Sequence, residues 1–190
     1  MPRSAAIVGV LLAAGRGSRF GSDKLLHRLA DGPSLAVAAA ASLRPACERL
    51  VAVVRPGCPA LAEQLAAADC TIVECADADG GMGHSLAAGV RATSDAAGWL
   101  VALADMPFIA TASHRVVADH LRAGASLAAS EYRGQRGHPV GFAARWFDQL
   151  ACLTGDYGGR TILLAHRRQL VLCPVDDPGV LRDIDRPEDL

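Results

Sequence analysis

Six short apolar runs, separated by segments of helical spacing, constrain this chain more than any other feature of its sequence. The first, residues 5–13 (AAIVGVLLA), is almost unbroken and is followed closely by Gly15. A run that is apolar at nearly every position, rather than at every second one, fits a strand buried on both faces of a parallel sheet. Similar runs recur at 50–54, 70–73, 99–104, 126–129 and 170–175. Most of the intervening segments have helical apolar spacing and open on start signals, namely Ser34 after Pro33, Pro59, Ser85 and Thr111. The alternation predicts an α/β fold of three layers (α/β/α) with a mainly parallel sheet, in a single domain over residues 1–190. Within GHPVGF, residues 137–142, Pro139 interrupts an apolar stretch and predicts an edge or antiparallel strand.

The composition excludes several classes of function. With 51% hydrophobic and 21% charged residues the chain can bury a core, which excludes a disordered tail. No apolar run approaches the roughly 18 to 20 residues of a membrane span, and residues 3–10 are too short for a signal peptide with its cleavage site. The expectation is a soluble, cytoplasmic protein with no membrane partner. Nineteen basic side chains against 20 acidic ones, with no basic cluster denser than Arg167–Arg168, argue against a nucleic-acid partner. The cysteines Cys47, Cys58, Cys70, Cys75, Cys152 and Cys173 form no CxxC pair and lie mostly in apolar runs, as reduced core thiols do.

Lys24 is the only lysine among the 19 basic residues, which makes its neighbourhood worth reading. It closes the segment LAAGRGSRFGSDK, residues 12–24, directly after the first strand. Glycines let backbone N–H groups approach phosphate oxygens, Arg can bind phosphate through two donors, and Lys adds a point charge. Neither GxxxxGK[ST] nor GxGxxG is present, since Phe20 stands at the third glycine position of the latter. Asp105, in LADMP at 103–107, follows the run 99–104 and so falls at the carboxyl end of a strand, the usual ligand rim of an open α/β sheet.

The first loop resembles the LAAGxSxRFGxxK signature of the nucleotidyltransferases that attach a nucleotide to molybdopterin. Further segments match in order: GGMGHSLAAGV at 80–90, LADMP at 103–107, RGHPVGF at 136–142, GDYGGR at 155–160 and DIDRPEDL at 183–190. The resemblance spans essentially the whole chain, and the combination is similar to the cytidylyltransferase branch for the molybdenum cofactor. It implies a Rossmann-like nucleotidyltransferase fold. It implies that Leu12, Ala13, Ala14, Gly15, Arg16, Gly17 and Lys24 meet the nucleotide, with Gly81, Gly83 and Ser85 lying against its base.

The same resemblance implies Mg²⁺ as cofactor, held by Asp105 and a C-terminal carboxylate, Asp185 in preference to Asp183. Mg²⁺ prefers oxygen ligands and keeps several waters, so two carboxylates and substrate phosphates suffice. Arg136, His138, Asp156 and Arg160 fall in motifs near the acceptor; a structural hydrogen bond for His138 and a helix cap for Asp156 are competing readings. His84 reads as a surface residue.

The activity implied is transfer of CMP from CTP to the phosphate of molybdopterin, releasing pyrophosphate. That phosphate monoester is largely ionised near neutral pH, so it needs no general base, and Arg19, Lys24 and Asp105 supply charge stabilisation. Ala14, where GTP-using relatives tend to carry the first glycine of LAGG, favours CTP over GTP. Alternatives are a GTP-using enzyme, a nucleotidyltransferase with another phosphorylated acceptor, or a non-catalytic carrier that hands the cofactor to a recipient molybdoenzyme.

Overall fold

The computed structural model describes residues 6–15, 20, 23–30 and 32–190. Seven strands form one sheet: β1 (Ile7–Leu12), β2 (Arg49–Val54), β3 (Thr71–Glu74), β4 (Gly98–Leu103), β5 (Leu127–Tyr132), β6 (Gln135–Ala143) and β7 (Leu170–Pro174). Their spatial order is β3-β2-β1-β4-β6-β5-β7. β1 pairs in parallel with both β2 and β4, β2 with β3, and β5 with β7, while β6 runs antiparallel to both β4 and β5.

The predicted apolar runs all became strands, with ends shifted by no more than three residues. Side chains alternate between two cores. Along β1, Ile7 and Leu11 pack on one face with Ala36, Ala40, Leu65 and Val117. Val8, Val10 and Leu12 pack on the other with Leu86, Val90, Leu150 and Ile162. Helices α1 (Leu35–Leu43), α2 (Pro59–Ala67) and α4 (Thr111–Arg122) therefore cover one face, and α3 (Met82–Arg91), α5 (Phe147–Ala151) and α6 (Arg160–Ala165) the other. A Cβ on Gly89 would sit 2.8 Å from Val10 and 2.9 Å from Val53, so this glycine lets α3 lie close against the sheet.

The strand containing Pro139 is antiparallel, one of the two placements expected of it, and lies inside the sheet. Its pairing with β4 reaches only Val140, and its register with β5 shifts between Ala129 and Glu131, so Pro139 falls where no ladder bond is required of it. Helix α3 begins at Met82 after Gly81, so Ser85 lies within it rather than opening it. Ser34 does precede α1, but its hydroxyl donates to Gln64 Oε1 at 2.6 Å instead of capping. Of the cysteines, all are free thiols; Cys47, Cys70, Cys75 and Cys173 are buried, Cys58 is half-buried and Cys152 is exposed. Among the described residues no helix is long and apolar enough to cross a membrane.

Candidate functional site

The carboxyl ends of β1 and β4 lie side by side, with Leu12 opposite Leu103 in the ladder. The backbone continues this contact as Ala104 N–H donates to the Leu12 carbonyl at 3.1 Å, bringing Gly15 and Asp105 to one rim. A short 3₁₀ turn, Lys24–Leu26, buries Lys24 and directs its ammonium inward. Lys24 Nζ donates to Asp105 Oδ2 at 2.8 Å and to Asp185 Oδ1 at 3.4 Å. Side-chain exposure is 8% for Lys24, 25% for Asp105 and 46% for Asp185, so the lysine is enclosed while both carboxylates remain accessible.

Asp185 reaches this centre through its neighbours. Ile184 is fully buried against Phe20 and Leu35, and its N–H donates to the Asp105 carbonyl at 2.9 Å. Asp189 Oδ2 accepts from the N–H groups of Asp185 and Arg186 at 3.0 and 2.8 Å, closing a turn behind the site. An apolar anchor on one side and a hydrogen-bonded turn on the other fix the carboxylate beside Asp105.

A cavity of about 620 Å³ opens over this centre. Of the expected nucleotide residues, Leu12, Ala14, Gly15, Lys24, Gly81 and Ser85 line it, together with Asp105 and Asp156. Ala13 does not; it is buried in the core, with its N–H donating to the Val53 carbonyl at 2.9 Å. Gly83 does not either, because its N–H donates to the Gly155 carbonyl at 2.7 Å. Gly81, at φ 113°, and Gly83 both lack room for a Cβ against residues 154–156. Both glycines therefore let the start of α3 meet residues 154–156 closely. Arg16, Gly17 and Arg19 lie outside the described residues.

The four acceptor candidates Arg136, His138, Asp156 and Arg160 line a second cavity of about 320 Å³. Leu12, Met82, Leu103 and Asp156 belong to both cavities, which are therefore contiguous. Arg136 and Arg160 have no ion-pair partner among the described residues, and burial together with the Arg160 charge lowers the pKa of Arg136. His138 is half-buried, and burial with the adjacent Arg136 charge pushes its imidazole down to about 4, which leaves it neutral at pH 7. Asp156 is exposed and four residues ahead of α6, whose cap position is Gly159, so it does not cap that helix. His84 is half-buried over Gly80 rather than fully at the surface.

Arg55 went unrecognised in the sequence. From just beyond β2 it donates to the Gly15 carbonyl at 2.9 Å and to Asp23 Oδ1 at 3.4 Å, tying the two ends of the first loop together. Its only sequence signal is a cation at the carboxyl end of a strand. Met82 and Tyr157 were also missed; they are exposed apolar groups at the cavities, 41% and 72% exposed, where a flat ring could stack.

Asp105 and Asp185 present an all-oxygen, partly exposed donor pair, which fits Mg²⁺ better than softer metals. Among the described residues no cluster of three or more His, Cys, Asp or Glu could hold a metal by itself. A divalent ion here would need oxygens from water or a bound phosphate. The arrangement suits a polyphosphate held between cations and a carboxylate-bound ion.

The model of the MobA-like NTP transferase domain matches residues 9–170. The purine catabolism protein PucB of Bacillus subtilis is 30% identical over 98% of this chain and 95% of its own length. Among solved structures, Rv0371c of Mycobacterium tuberculosis superposes with a TM-score of 0.81 at 27% identity, covering 96% of this chain and 95% of that one. A nucleotidyl transferase of Methanothermobacter thermautotroptrophicus gives a TM-score of 0.83 at 25% identity, covering 98% and 94%. Rv0371c has also been solved in complex with manganese, a structure matched at 27% identity and a TM-score of 0.79 over 97% and 95% of the two chains.

Proposed function

The chain belongs to the MobA-like NTP transferase family, and from that premise we propose that it transfers CMP from CTP to the phosphate of molybdopterin. It is a nucleotidyltransferase by family; the base and the acceptor are our reading. The observation that carries it is the pair of contiguous cavities, one bordered by the lysine–carboxylate centre and the other by two arginines without ion-pair partners among the described residues.

In this reading the triphosphate lies in the larger cavity beside Gly15, Lys24 and Ser85. The acceptor occupies the smaller one, its phosphate turned toward the shared wall and its flat ring against Met82 and Tyr157. An acceptor phosphate oxygen forms a bond to the α-phosphorus, the α–β bridging bond breaks, and pyrophosphate leaves with that electron pair. No proton need be removed from an ionised phosphate monoester, which is consistent with a neutral His138 that serves as a hydrogen-bonding group. Lys24, together with Arg19 from the first loop, offsets charge developing on the leaving group. Mg²⁺ held by Asp105 and Asp185 would supply further neutralisation of the phosphate oxygens. The manganese complex of Rv0371c supports a divalent ion in this family.

Ala14 lines the nucleotide cavity, where its methyl group takes space that a glycine would leave for a purine. The test is a competition assay of CTP, GTP, ATP and UTP with molybdopterin and Mg²⁺, following pyrophosphate and the mass of the dinucleotide. Molybdopterin cytosine dinucleotide is the expected main product. A GTP preference would overturn the base assignment, and no dinucleotide with any triphosphate would overturn the acceptor. The relative's name, a purine catabolism protein, points to that metabolism as the first place to seek a recipient molybdoenzyme.

A further inference from the structure

Lys24 occupies the position at which the proposed metal chemistry is most constrained. Its ammonium touches both carboxylates, Asp105 at 2.8 Å and Asp185 at 3.4 Å, from a side chain only 8% exposed. An ion taking oxygens from the same pair would lie a few ångströms from Nζ, where two cations repel, the more so because the enclosed ammonium is poorly screened by water. Each carboxylate has a second oxygen, but using those oxygens leaves the repulsion in place.

The choice of side chain is informative. The chain uses arginine at all its other basic positions, yet the enclosed cation is lysine. A guanidinium would lock onto one carboxylate through a rigid fork, whereas an ammonium on a four-carbon stem can leave one oxygen for another.

We propose that Lys24 is a displaceable counter-cation: it offsets part of the charge of Asp105 and Asp185 before substrate binds, keeps a divalent ion presented alone from binding tightly, and moves to the triphosphate when nucleotide and metal arrive together. This rests on Asp105 and Asp185 being the metal ligands of the proposed reaction. The triphosphate brings anionic oxygens that accept the ammonium and complete the oxygen shell of the ion, so neither carboxylate is left without a cation.

The test is binding of Mn²⁺ to the nucleotide-free protein, read from the loss of the free-ion EPR signal. Wild type should bind weakly, and Lys24→Met should bind at least about tenfold more tightly. Adding Asp105→Asn to Lys24→Met should abolish the gain. Equal Mn²⁺ affinity in wild type and Lys24→Met would overturn the proposal. Failure of the ligand assignment shows separately, as Asp105→Asn leaving Mn²⁺ binding in the presence of a non-hydrolysable CTP analogue unchanged.

A second readout needs no substitution. Selective ¹⁵N-lysine labelling gives a single side-chain ammonium resonance, because the chain has one lysine. Mg²⁺ alone should leave it in place, and Mg²⁺ with the analogue should shift it. A shift saturating with Mg²⁺ alone, or none with both, would overturn the proposal even if Lys24→Met failed to fold.

Discussion

Asp105 and His114 show how differently two buried or half-buried titratable groups can serve the same molecule. Asp105 is accessible and sits beside a lysine, so its charge is available to the cavity. Asp105→Asn should keep the fold and lower turnover by about 100-fold or more, as loss of a charge acting on phosphate oxygens does. Near wild-type pyrophosphate release would remove Asp105 from the machinery. His114 is wholly enclosed, with Nε2 3.2 Å from Ser42 Oγ and Nδ1 without a hydrogen-bond partner among the described residues. Burial pushes its imidazole down to about 4, against a partial upward pull from Asp177 and a further push from His138. The unfolded chain titrates this group near 6.5, so it binds more protons than the folded one between the two values. The stability contributed by the neutral ring is present above about pH 6.5 and lost as pH falls toward about 4, on the order of 3 kcal/mol. His138 shares the direction of this dependence. Urea unfolding at pH 7.5 and 4.5 should show a smaller acid loss in His114→Leu than in wild type. Parallel losses would rule out His114 as a contributor.

Among the elements, the helices show most clearly what sequence can and cannot reveal. Pro59 opens α2 as expected, because proline fixes the first-turn geometry from within the element. Thr111 marks the first turn of α4 as expected, but the carboxylate that bonds its N-terminus is not local. Asp177, between β7 and the C-terminal segment, accepts from Ala110 N–H at 2.9 Å and Ser113 Oγ at 2.6 Å through Oδ2, while Oδ1 accepts from Gly179 N–H at 2.9 Å. A cap supplied from 67 residues away leaves no local pattern to read. Asp177→Ala should cost about 1 to 2 kcal/mol and lower Tm by several degrees in a thermal melt. An unchanged Tm would show that water replaces the carboxylate. The start of α3 was misplaced for a related reason: Gly81 and Gly83 resemble loop glycines, yet they are small because residues 154–156 press against them. Lys24 and Asp105 were legible because one is the chain's only lysine and the other follows an apolar strand. Arg55 was not, since a single arginine after a strand has no distinctive neighbours.

At the scale of the whole molecule, the alternation of strands and helices made the layers legible but left the strand order open. Period and composition report which residues are buried, whereas neighbours in a sheet depend on long-range pairing. Pro139 made the difference visible, since a residue typical of edges sits in an interior strand at a register shift. Leu12, Met82, Leu103 and Asp156 form a wall common to the two cavities. In the proposed reaction the substrates arrive as two pieces and the dinucleotide leaves as one, which must then break both sets of contacts together. Joining two ligands raises retention beyond that of either alone, so departure rather than bond formation should set the pace. Rapid mixing should therefore release a burst of pyrophosphate equal to the enzyme present, followed by a slower steady phase; a linear course from the first turnover would refute this. A recipient that draws the dinucleotide away would speed the slow phase and leave the burst unaltered, making delivery the step at which demand governs synthesis.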